Sequence, residues 1–382
     1  MKKGRVKYYV LINLLLILVT SIAIFLMILR LNNISPKSFV SDVFQQNVSE
    51  DLVDNNEQEE ETEPETEEKT EVVEDILDTI TISAAGDVTL GGDLDYGYTG
   101  SFDHEFELQN QDYSYFFRNV KDVFEADDIT VVNLETTLTT ATKKMDKLFR
   151  FKADPSYVEI LKEGSIEAVS IANNHSRDYL EEGYQDTTNT LKDADVGYFG
   201  YQHKYIKDVR GIKVGFVGFY FMKETEELKE NIKTSIEDLR DEGVDIVITM
   251  YHWGIERDNY PNSVQKNMAH FSIDNGADLV LGSHSHVLQG IEEYKGKNIV
   301  YSLANFSFGG NKNPSDHDTM IYVHKFNFKN GELISEENEV IPCSISSVSK
   351  RNNYQPTILE GEEKERVLAR IEEYSKPLKT TE

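Results

Sequence analysis

Apolar runs alternate with amphipathic stretches between residues 78 and 345, and this alternation is the feature that most restricts the fold. Short runs such as ITVV and LVLG predict buried strands, and stretches with a helical period separate several of them. Hairpins are predicted to turn at Arg210 with Gly211 and at Asn330 with Gly331, and a last helix is predicted around Glu362–Tyr374. Strands that alternate with helices, joined by some hairpins, predict a layered α/β domain with a mixed sheet.

Five of the apolar runs end in side chains that can bind a metal ion. These side chains are Asp87, Glu135, Asn174 with His175, His252, and the pair His284 and His286. Ligands collect beyond the carboxyl ends of the strands in open α/β sheets, so we expect these residues to converge. Carboxylates, an amide oxygen and imidazoles suit Zn, Mn or Fe better than an all-oxygen calcium site. Each residue alone could be a turn, cap or structural residue; five such endings together favour a divalent metal site.

The stretch LVLGSHSHVLQG places two of these histidines one residue apart. We expect the chain to turn sharply at Gly282, because glycine tolerates conformations that other residues avoid. In the extended stretch that follows, residues two apart point to the same side. His284 and His286 are therefore predicted to face one metal centre, or two adjacent ions, with His252 as their neighbour.

Charge and cysteine content exclude several classes of function. The net charge is -29, and 14 acidic residues against one lysine lie between Glu50 and Asp75. The remainder is still acidic, which argues against nucleic acid as a partner. The chain has a single cysteine, Cys343, so an internal disulfide and a cysteine-based zinc cluster are both excluded.

The N-terminal residues predict a membrane anchor. No charged residue occurs from Tyr8 to Leu29, a length sufficient to cross about 30 Å of hydrocarbon. This stretch is preceded by the positive residues Lys2, Lys3, Arg5 and Lys7. Their position predicts a cytoplasmic N-terminus and an extracytoplasmic main domain. The alternative is a cleaved signal peptide, whose apolar region is usually shorter and is followed by a small-x-small site. No such site is evident near Arg30–Asn33, so an uncleaved anchor is favoured.

The next segment, residues 32–77, is acidic and of low complexity. Such a composition buries too little apolar surface to offset chain entropy, so we expect a disordered spacer. The predicted organisation is a cytoplasmic N-terminus at 1–7, a transmembrane anchor at 8–31, a disordered acidic linker at 32–77, a folded domain at 78–345 and a C-terminal extension with a helix at 346–382.

Several motifs between Ile80 and Phe308 resemble those of the CapA family, also called PgsA. They are AAGDVTLGGD, VVNLETTLT, FRFKADP, SIANNHSRDYLEEGYQDT, YHWGIE, GSHSHVLQGIE and VYSLANFSFG, in the order of the family. The resemblance implies a role in poly-γ-glutamate capsule biosynthesis and export, with a membrane anchor and other capsule synthesis subunits as partners. The CapA domain is in turn similar to calcineurin-like metallophosphoesterases, which implies an α/β/β/α layered fold.

The second resemblance also implies roles for individual residues. Asp87 matches the first aspartate ligand, and Glu135 matches the region of the bridging carboxylate. Asn174 matches the asparagine ligand, and His175 matches the adjacent histidine, which contacts substrate and can act as general acid. The last three histidine ligands are matched by His252, His284 and His286. Two positions depart from the pattern. Thr89 stands where a histidine is usual, and NLE replaces a glycine-aspartate pair. The site is therefore expected to hold one or two ions.

Two cations in FRFKADP, Arg150 and Lys152, are predicted to bind an anionic substrate, either a phosphate or a carboxylate of poly-γ-glutamate or another anionic polymer. The alternative is that both are solvated charges on an extended strand.

Two functions follow from these features. The first is an extracytoplasmic, membrane-anchored, metal-dependent hydrolase or transferase that acts on a γ-glutamyl polymer or a phosphoester, because a bound metal ion supplies hydroxide near neutral pH. The second is a non-catalytic accessory subunit that binds or guides the polymer at its synthase. The histidines favour the first function, whereas Thr89 and NLE favour the second, and the sequence leaves both open.

Overall fold

The computed structural model describes residues 77–379. Its strands are β1 (Leu77–Thr89), β2 (Ile129–Leu134), β3 (Thr137–Leu138), β4 (Lys152–Ala153), β5 (Ala168–Ser170), β6 (Gly197–Phe199), β7 (Tyr205–Val209), β8 (Ile212–Tyr220), β9 (Ile246–His252), β10 (Leu279–Ser283), β11 (Ile291–Tyr294), β12 (Lys297–Val300), β13 (Asn305–Phe308), β14 (Asp318–Lys329), β15 (Glu332–Ser344) and β16 (Thr357–Ile358). Its α-helices are α1 (Phe102–Leu108), α2 (Lys121–Phe124), α3 (Val158–Glu163), α4 (Leu180–Asp193), α5 (Glu226–Asp241), α6 (Ser263–Asp274) and α7 (Gly361–Ser375). The two predicted hairpins and the predicted last helix are present.

Most strands belong to two mixed sheets. The first sheet has the order β16-β15-β14-β1-β2-β5-β6, and β13 also pairs with β1. The second sheet has the order β11-β12-β10-β9-β8-β7. Strands β1, β2, β5 and β6 are parallel, as are β8, β9, β10 and β12, while β14, β15, β16, β7 and β11 add antiparallel edges. The predicted α/β class with mixed sheets is confirmed.

The two sheets pack face to face, and helices cover their outer faces. Side chains alternate along each strand, so Ile248 of β9 lies in the core between the sheets and Val247 lies on the opposite face, in a core shared with α5 and α6. On the other side, Val132 of β2 packs in a core with residues of α1 to α4. Because both faces are buried, the parallel strands are apolar almost throughout, as the sequence pattern indicated.

The two sheets are joined near the carboxyl ends of their parallel strands. The structure divides the stretch NIVYSLANFSFGG between two sheets: β12 pairs with β10, and β13 pairs with β1. Ala304, with a φ of 63°, lies between these two strands, and its carbonyl accepts a hydrogen bond of 2.9 Å from the Asp87 N–H. A side chain at Gly86 would collide with this carbonyl, since a Cβ there would lie 1.9 Å from the oxygen. The crossing therefore brings the first metal-ligand candidate beside the second sheet.

The C-terminal segment packs on the same domain. Strand β16 pairs with β15, and Val367 and Ile371 of α7 are buried in the core between the sheets. Cys343 is buried on β15. The predicted anchor at 8–31 and the predicted linker, apart from Leu77, lie outside the described residues. Within residues 77–379, no helix is both long and apolar enough to cross a membrane.

Candidate metal site and cleft

Neighbouring strand ends from both sheets carry the residues of the site. In the first sheet Asp87 of β1 is in register with Asn133 of β2, and in the second sheet His252 of β9 is in register with Ser283 of β10. Glu135 follows β2 directly. The site therefore lies where the carboxyl ends of parallel strands meet, as the sequence predicted.

Hydrogen bonds connect the two sheets across the site. The Asn133 Nδ2 donates to Asp87 Oδ1 over 2.8 Å and lies 3.2 Å from Nδ1 of His252. The Nε2 of His252 lies 2.8 Å from Oδ1 of Asn174, which belongs to the loop after β5. Asn173 supports this arrangement, because its Nδ2 donates to Asn133 Oδ1 over 3.1 Å.

His284 and His286 converge, but not by the predicted route. Gly282 does not form a turn; it lies within β10, where a Cβ would come 2.0 Å from the carbonyl oxygen of Tyr301. The chain turns instead at the histidines, whose φ angles are 90° for His284 and 57° for His286. The expected extended stretch is therefore wrong, and left-handed backbone at both residues directs the rings.

The two rings reach different parts of the site. Nδ1 of His284 lies 3.0 Å from Nε2 of His252, and the His284 N–H donates to Asp87 Oδ2 over 3.2 Å. Nδ1 of His286 lies 3.3 Å from Asp87 Oδ2 and 2.8 Å from Oδ1 of Asn305. The pair therefore spans two adjacent ligand positions.

Three groups of ligand atoms lie within 4.8 Å of one another. The groups are Asp87 with Glu135 and His286, Glu135 with His252 and His284, and Glu256 with His284 and His286. Glu135 belongs to the first two groups, so its two oxygens could serve two neighbouring ions. This geometry suits one or two divalent ions, each with carboxylate and imidazole ligands.

Glu135 provides the test of whether a metal ion fits. Its side chain is fully buried, and neither carboxylate oxygen has a hydrogen-bond partner among residues 77–379. Burial and the charge of Asp87 raise the pKa of Glu135 to about 8. A buried carboxyl group without a partner is costly, and a divalent ion at these oxygens would remove the cost. The donor set therefore fits a divalent metal ion.

The imidazoles differ in their protonation. Burial lowers the pKa of both His252 and His284 to about 3, so both rings are neutral and free to coordinate. Burial also opposes the charged form of His286, but the carboxylates of Glu135 and Asp87 outweigh it and raise the pKa to about 9. Asp87 remains ionised, because contacts with His286 and other site residues outweigh its burial and lower its pKa.

His175 lies at the edge of this cluster with its orientation fixed. Its Nδ1 lies 2.6 Å from Oδ2 of the buried Asp178, and its Nε2 lies 3.9 Å from Oε1 of Glu135. The ring stacks on Phe151 with the centroids 3.9 Å apart. Lys147 donates to the other oxygen of Asp178 over 2.6 Å. Nε2 of His175 is therefore directed to the ligand group.

A cleft of about 430 Å³ opens onto the cluster, and His175, His286 and Asn305 line it together with Phe151 and Phe308. The ligand group is therefore accessible from this side.

The structure does not bring Arg150 and Lys152 to this cleft. The Arg150 guanidinium donates to Asp95 over 2.6 Å and lies 3.8 Å from Asp93. The Lys152 ammonium donates to the carbonyl of Ala141 over 2.6 Å. Neither residue lines the cleft. Both charges are held by partners within the domain.

Sequence reasoning missed Asp178 and Glu256 and gave no role to Asn133. Asn133 ends the same apolar run as Glu135, but only the folded chain shows its register opposite Asp87. Asp178 follows His175 by three residues, and Glu256 closes the motif YHWGIE. An acid near a candidate histidine is a frequent pattern, so only the fold identifies these as neighbours of the site.

Comparisons with known proteins agree with the motifs. Residues 81–310, more than half of the chain, match the family model described as bacterial capsule synthesis protein PGA_cap. The capsule biosynthesis protein CapA of Bacillus anthracis is 28% identical over 299 residues, which cover 71% of this chain and 69% of that protein. The PGA biosynthesis protein CapA of Bacillus subtilis (strain 168) is 29% identical over 265 residues, which cover 64% of this chain and 70% of that protein.

One solved structure, a hypothetical protein from Thermus thermophilus, is 16% identical with a TM-score of 0.43, covering 69% of this chain and 99% of that chain. The family assignment rests on the sequence matches, which confirm the resemblance to CapA. The chain belongs to the bacterial capsule synthesis protein PGA_cap family.

Proposed function

We propose that this protein is a metal-dependent hydrolase that acts on poly-γ-glutamate during capsule synthesis or export. The observation that carries the proposal is the fully buried carboxylate of Glu135, which accepts no hydrogen bond within residues 77–379 and is shared by two ligand groups beside an open cleft. The polymer comes from the relatives, one of which is named a PGA biosynthesis protein. The expected partners are the polymer, the membrane and other subunits of capsule synthesis.

The ligand set defines what the site can hold. The residues that would hold Zn, Mn or Fe are Asp87, Glu135, Asn174, His252, His284 and His286. A bound ion of this kind lowers the pKa of its water towards neutrality and so supplies hydroxide. His175 would donate a proton to the leaving nitrogen of a γ-glutamyl amide, since its Nε2 is directed to the ligand group. Asp178 would keep that ring in place through Nδ1.

The layered packing of two sheets between helices agrees with the implied likeness to calcineurin-like metallophosphoesterases, and we include that likeness in the proposal. The departure at Thr89 supports an alternative. Thr89 is buried, and its hydroxyl has no hydrogen-bond partner within the described part of the chain. Without the usual histidine there, a non-catalytic accessory subunit that binds the polymer is the second candidate.

The direct test combines metal analysis with a polymer assay on the full-length protein. We expect bound Zn, Mn or Fe and a metal-dependent decrease in the chain length of poly-γ-glutamate. The double variant with His284→Gln and His286→Gln should lose the metal and the cleavage while it keeps its circular dichroism spectrum. His270→Gln is the matched control, because His270 lies 3.0 Å from Glu292 and away from the site. Bound metal without cleavage of the polymer would favour the accessory subunit instead.

The proposed location is the outer face of the cell membrane, with the N-terminus in the cytoplasm. It is supported by the positive residues that precede the uncharged stretch Tyr8–Leu29. Protease added to intact protoplasts should release the domain. Protection of the domain from the protease would contradict this orientation, and a protein secreted without its N-terminal segment would show cleavage.

A further inference from the structure

We propose that Arg257 binds an oxyanion of the substrate chain in the cleft. Given the proposed function, on which this inference rests, the oxyanion is the free carboxylate of a γ-glutamyl unit next to the bond that is cut. The proposal gives the cleft a cation in place of Arg150 and Lys152, whose charges are held elsewhere.

The position of Arg257 is set by the same loop that carries the metal-ligand candidates. Its side chain lines the cleft together with His175 and His286. Its backbone N–H donates to the carbonyl of Ser285 over 2.8 Å, and Ser285 lies between the two histidines of the pair. With a φ of 65°, the backbone of Arg257 is in the left-handed region. The backbone from which the guanidinium extends is therefore held beside the loop of the two histidines.

The guanidinium of Arg257 is free to take a ligand. The side chain is exposed, and it makes no hydrogen bond or ion pair with any residue between 77 and 379. Lys312 also lines the cleft, but its ammonium donates to the carbonyls of Tyr96, Gly97 and Thr99 over 2.8 to 3.0 Å. Lys147 is held by Asp178 and by the carbonyl of Asn174. Among the described residues, Arg257 is thus the cation of the cleft whose side-chain hydrogen-bond donors are unoccupied.

The charge of the cleft makes such a residue necessary for an anionic substrate. Asp93, Glu256 and Asp316 line the same cleft, and the chain as a whole carries a net charge of -29. A polyanion is therefore repelled at long range and needs a local cation to stay bound. A guanidinium can hold both oxygens of a carboxylate, which an ammonium cannot do in the same fixed geometry.

The experiment measures binding, so it does not depend on catalysis. The metal-loaded full-length protein is titrated with a fluorescent γ-glutamyl decamer and, separately, with inorganic phosphate. We expect Arg257→Gln to weaken decamer binding by about tenfold, the loss typical of one charge-assisted contact. Arg257→Lys should recover only part of the affinity. Arg118→Gln removes the same charge at an exposed residue outside the cleft lining and should bind like the wild type.

The outcomes separate the source of the oxyanion from the proposal itself. Weaker binding of the decamer alone supports a carboxylate, and weaker binding of phosphate alone supports a phosphate as the oxyanion. Equal affinities for Arg257→Gln and the wild type, or no binding of either probe by the wild type, would overturn the inference. Decamer binding that needs Arg257 but is not followed by cleavage would leave this inference standing and refute the hydrolase.

Discussion

Two buried glutamates of this protein have opposite surroundings. Glu105 of α1 is 2% exposed, and Glu135 after β2 is 0% exposed. The carboxylate of Glu105 accepts hydrogen bonds from Gln109 over 2.9 Å, from Tyr115 over 3.2 Å and from both terminal nitrogens of Arg351. Glu135 accepts none from the residues that the structure describes.

This difference in hydrogen bonding indicates a separate role for each glutamate. A buried acid that is fully paired contributes to the fold, and its surroundings explain its presence. A buried acid without a partner costs stability, so it is retained for a ligand or for chemistry. Glu105 joins α1 to the segment around Arg351, far along the chain, whereas Glu135 lies beside Asp87 and the histidines. The two residues can therefore be tested against each other with the same substitution.

The largest expected effect is the loss of metal from Glu135→Gln. The amide keeps the shape of the side chain but cannot offer two charged oxygens to two ions. We expect metal affinity to fall by at least about a hundredfold, since even residues that only support metal ligands contribute about 10–100-fold. Metal content after dialysis against a weak chelator measures it.

Glu105→Gln is the matched control and should keep its metal. If Glu135→Gln bound metal as tightly as the wild type, the contrast between the two glutamates would lose its functional meaning, and Glu135 would be a tolerated defect of the core.

The sequence predicts the strand ends well, because a buried parallel strand is an apolar run that stops where the chain reaches the edge of the sheet. Asp87, Glu135, Asn174 and His252 were found in this way, and the structure brings them together. What the pattern cannot show is which sheet a run joins. The stretch NIVYSLANFSFGG carries apolar residues along its whole length, and only the packing divides it between β12 and β13.

Two other features depend on contacts between distant parts of the chain. His284 and His286 converge through left-handed backbone, and a non-glycine residue gives no sequence signal for that conformation. The charge of Arg150 is paired with Asp93 and Asp95, which only the folded chain brings near it. Among the described residues, the free cation of the cleft is instead Arg257, which directly follows the motif YHWGIE and was not singled out from the sequence.

A second, smaller effect is expected at Asp178, which is buried and paired like Glu105 but lies at the site like Glu135. Asp178→Asn should reduce turnover of the polymer by about 10–100-fold, a part of the roughly 100- to 10,000-fold that a positioned general acid contributes. The metal content and KM should stay near those of the wild type, because Asp178 acts through His175 and does not belong to any ligand group. Unchanged turnover in a folded, metal-loaded variant would remove Asp178 from the mechanism.

The third effect concerns stability and reverses the roles of the two glutamates. Glu105→Gln should lower the free energy of unfolding by about 1–2 kcal/mol. The loss is smaller than for a fully buried ion pair, because Arg351 is half exposed and solvent screens its charge. In metal-free protein, Glu135→Gln should not lower it, since burial and the charge of Asp87 disfavour the ionised form of Glu135 more than the nearby histidines favour it. Urea unfolding in the presence of a chelator measures both variants. A larger loss for Glu135→Gln than for Glu105→Gln would contradict the comparison.

The smallest effect is a release of protons on metal binding. The pKa values are raised to about 8 for Glu135 and about 9 for His286, and the charge of each group contributes to the pKa of the other, so the pair holds at least one proton at pH 7 in the metal-free protein. Coordination needs the carboxylate and the neutral imidazole, so filling both positions should release at least about one proton at pH 7. Because both pKa values are raised, this release should vanish as the pH rises through 8 and then 9.

Calorimetric titration with Zn²⁺ in buffers of different ionisation enthalpy measures this proton count. Glu105→Gln should release as many protons as the wild type, because its site is unchanged. In Glu135→Gln, any residual binding should release fewer protons than in the wild type, because the variant has no carboxyl proton and lacks the charge that raises the pKa of His286. Binding at pH 7 without any proton release would mean that Glu135 and His286 are not ligands. The lack of hydrogen bonds to Glu135 from the described residues would then need another explanation.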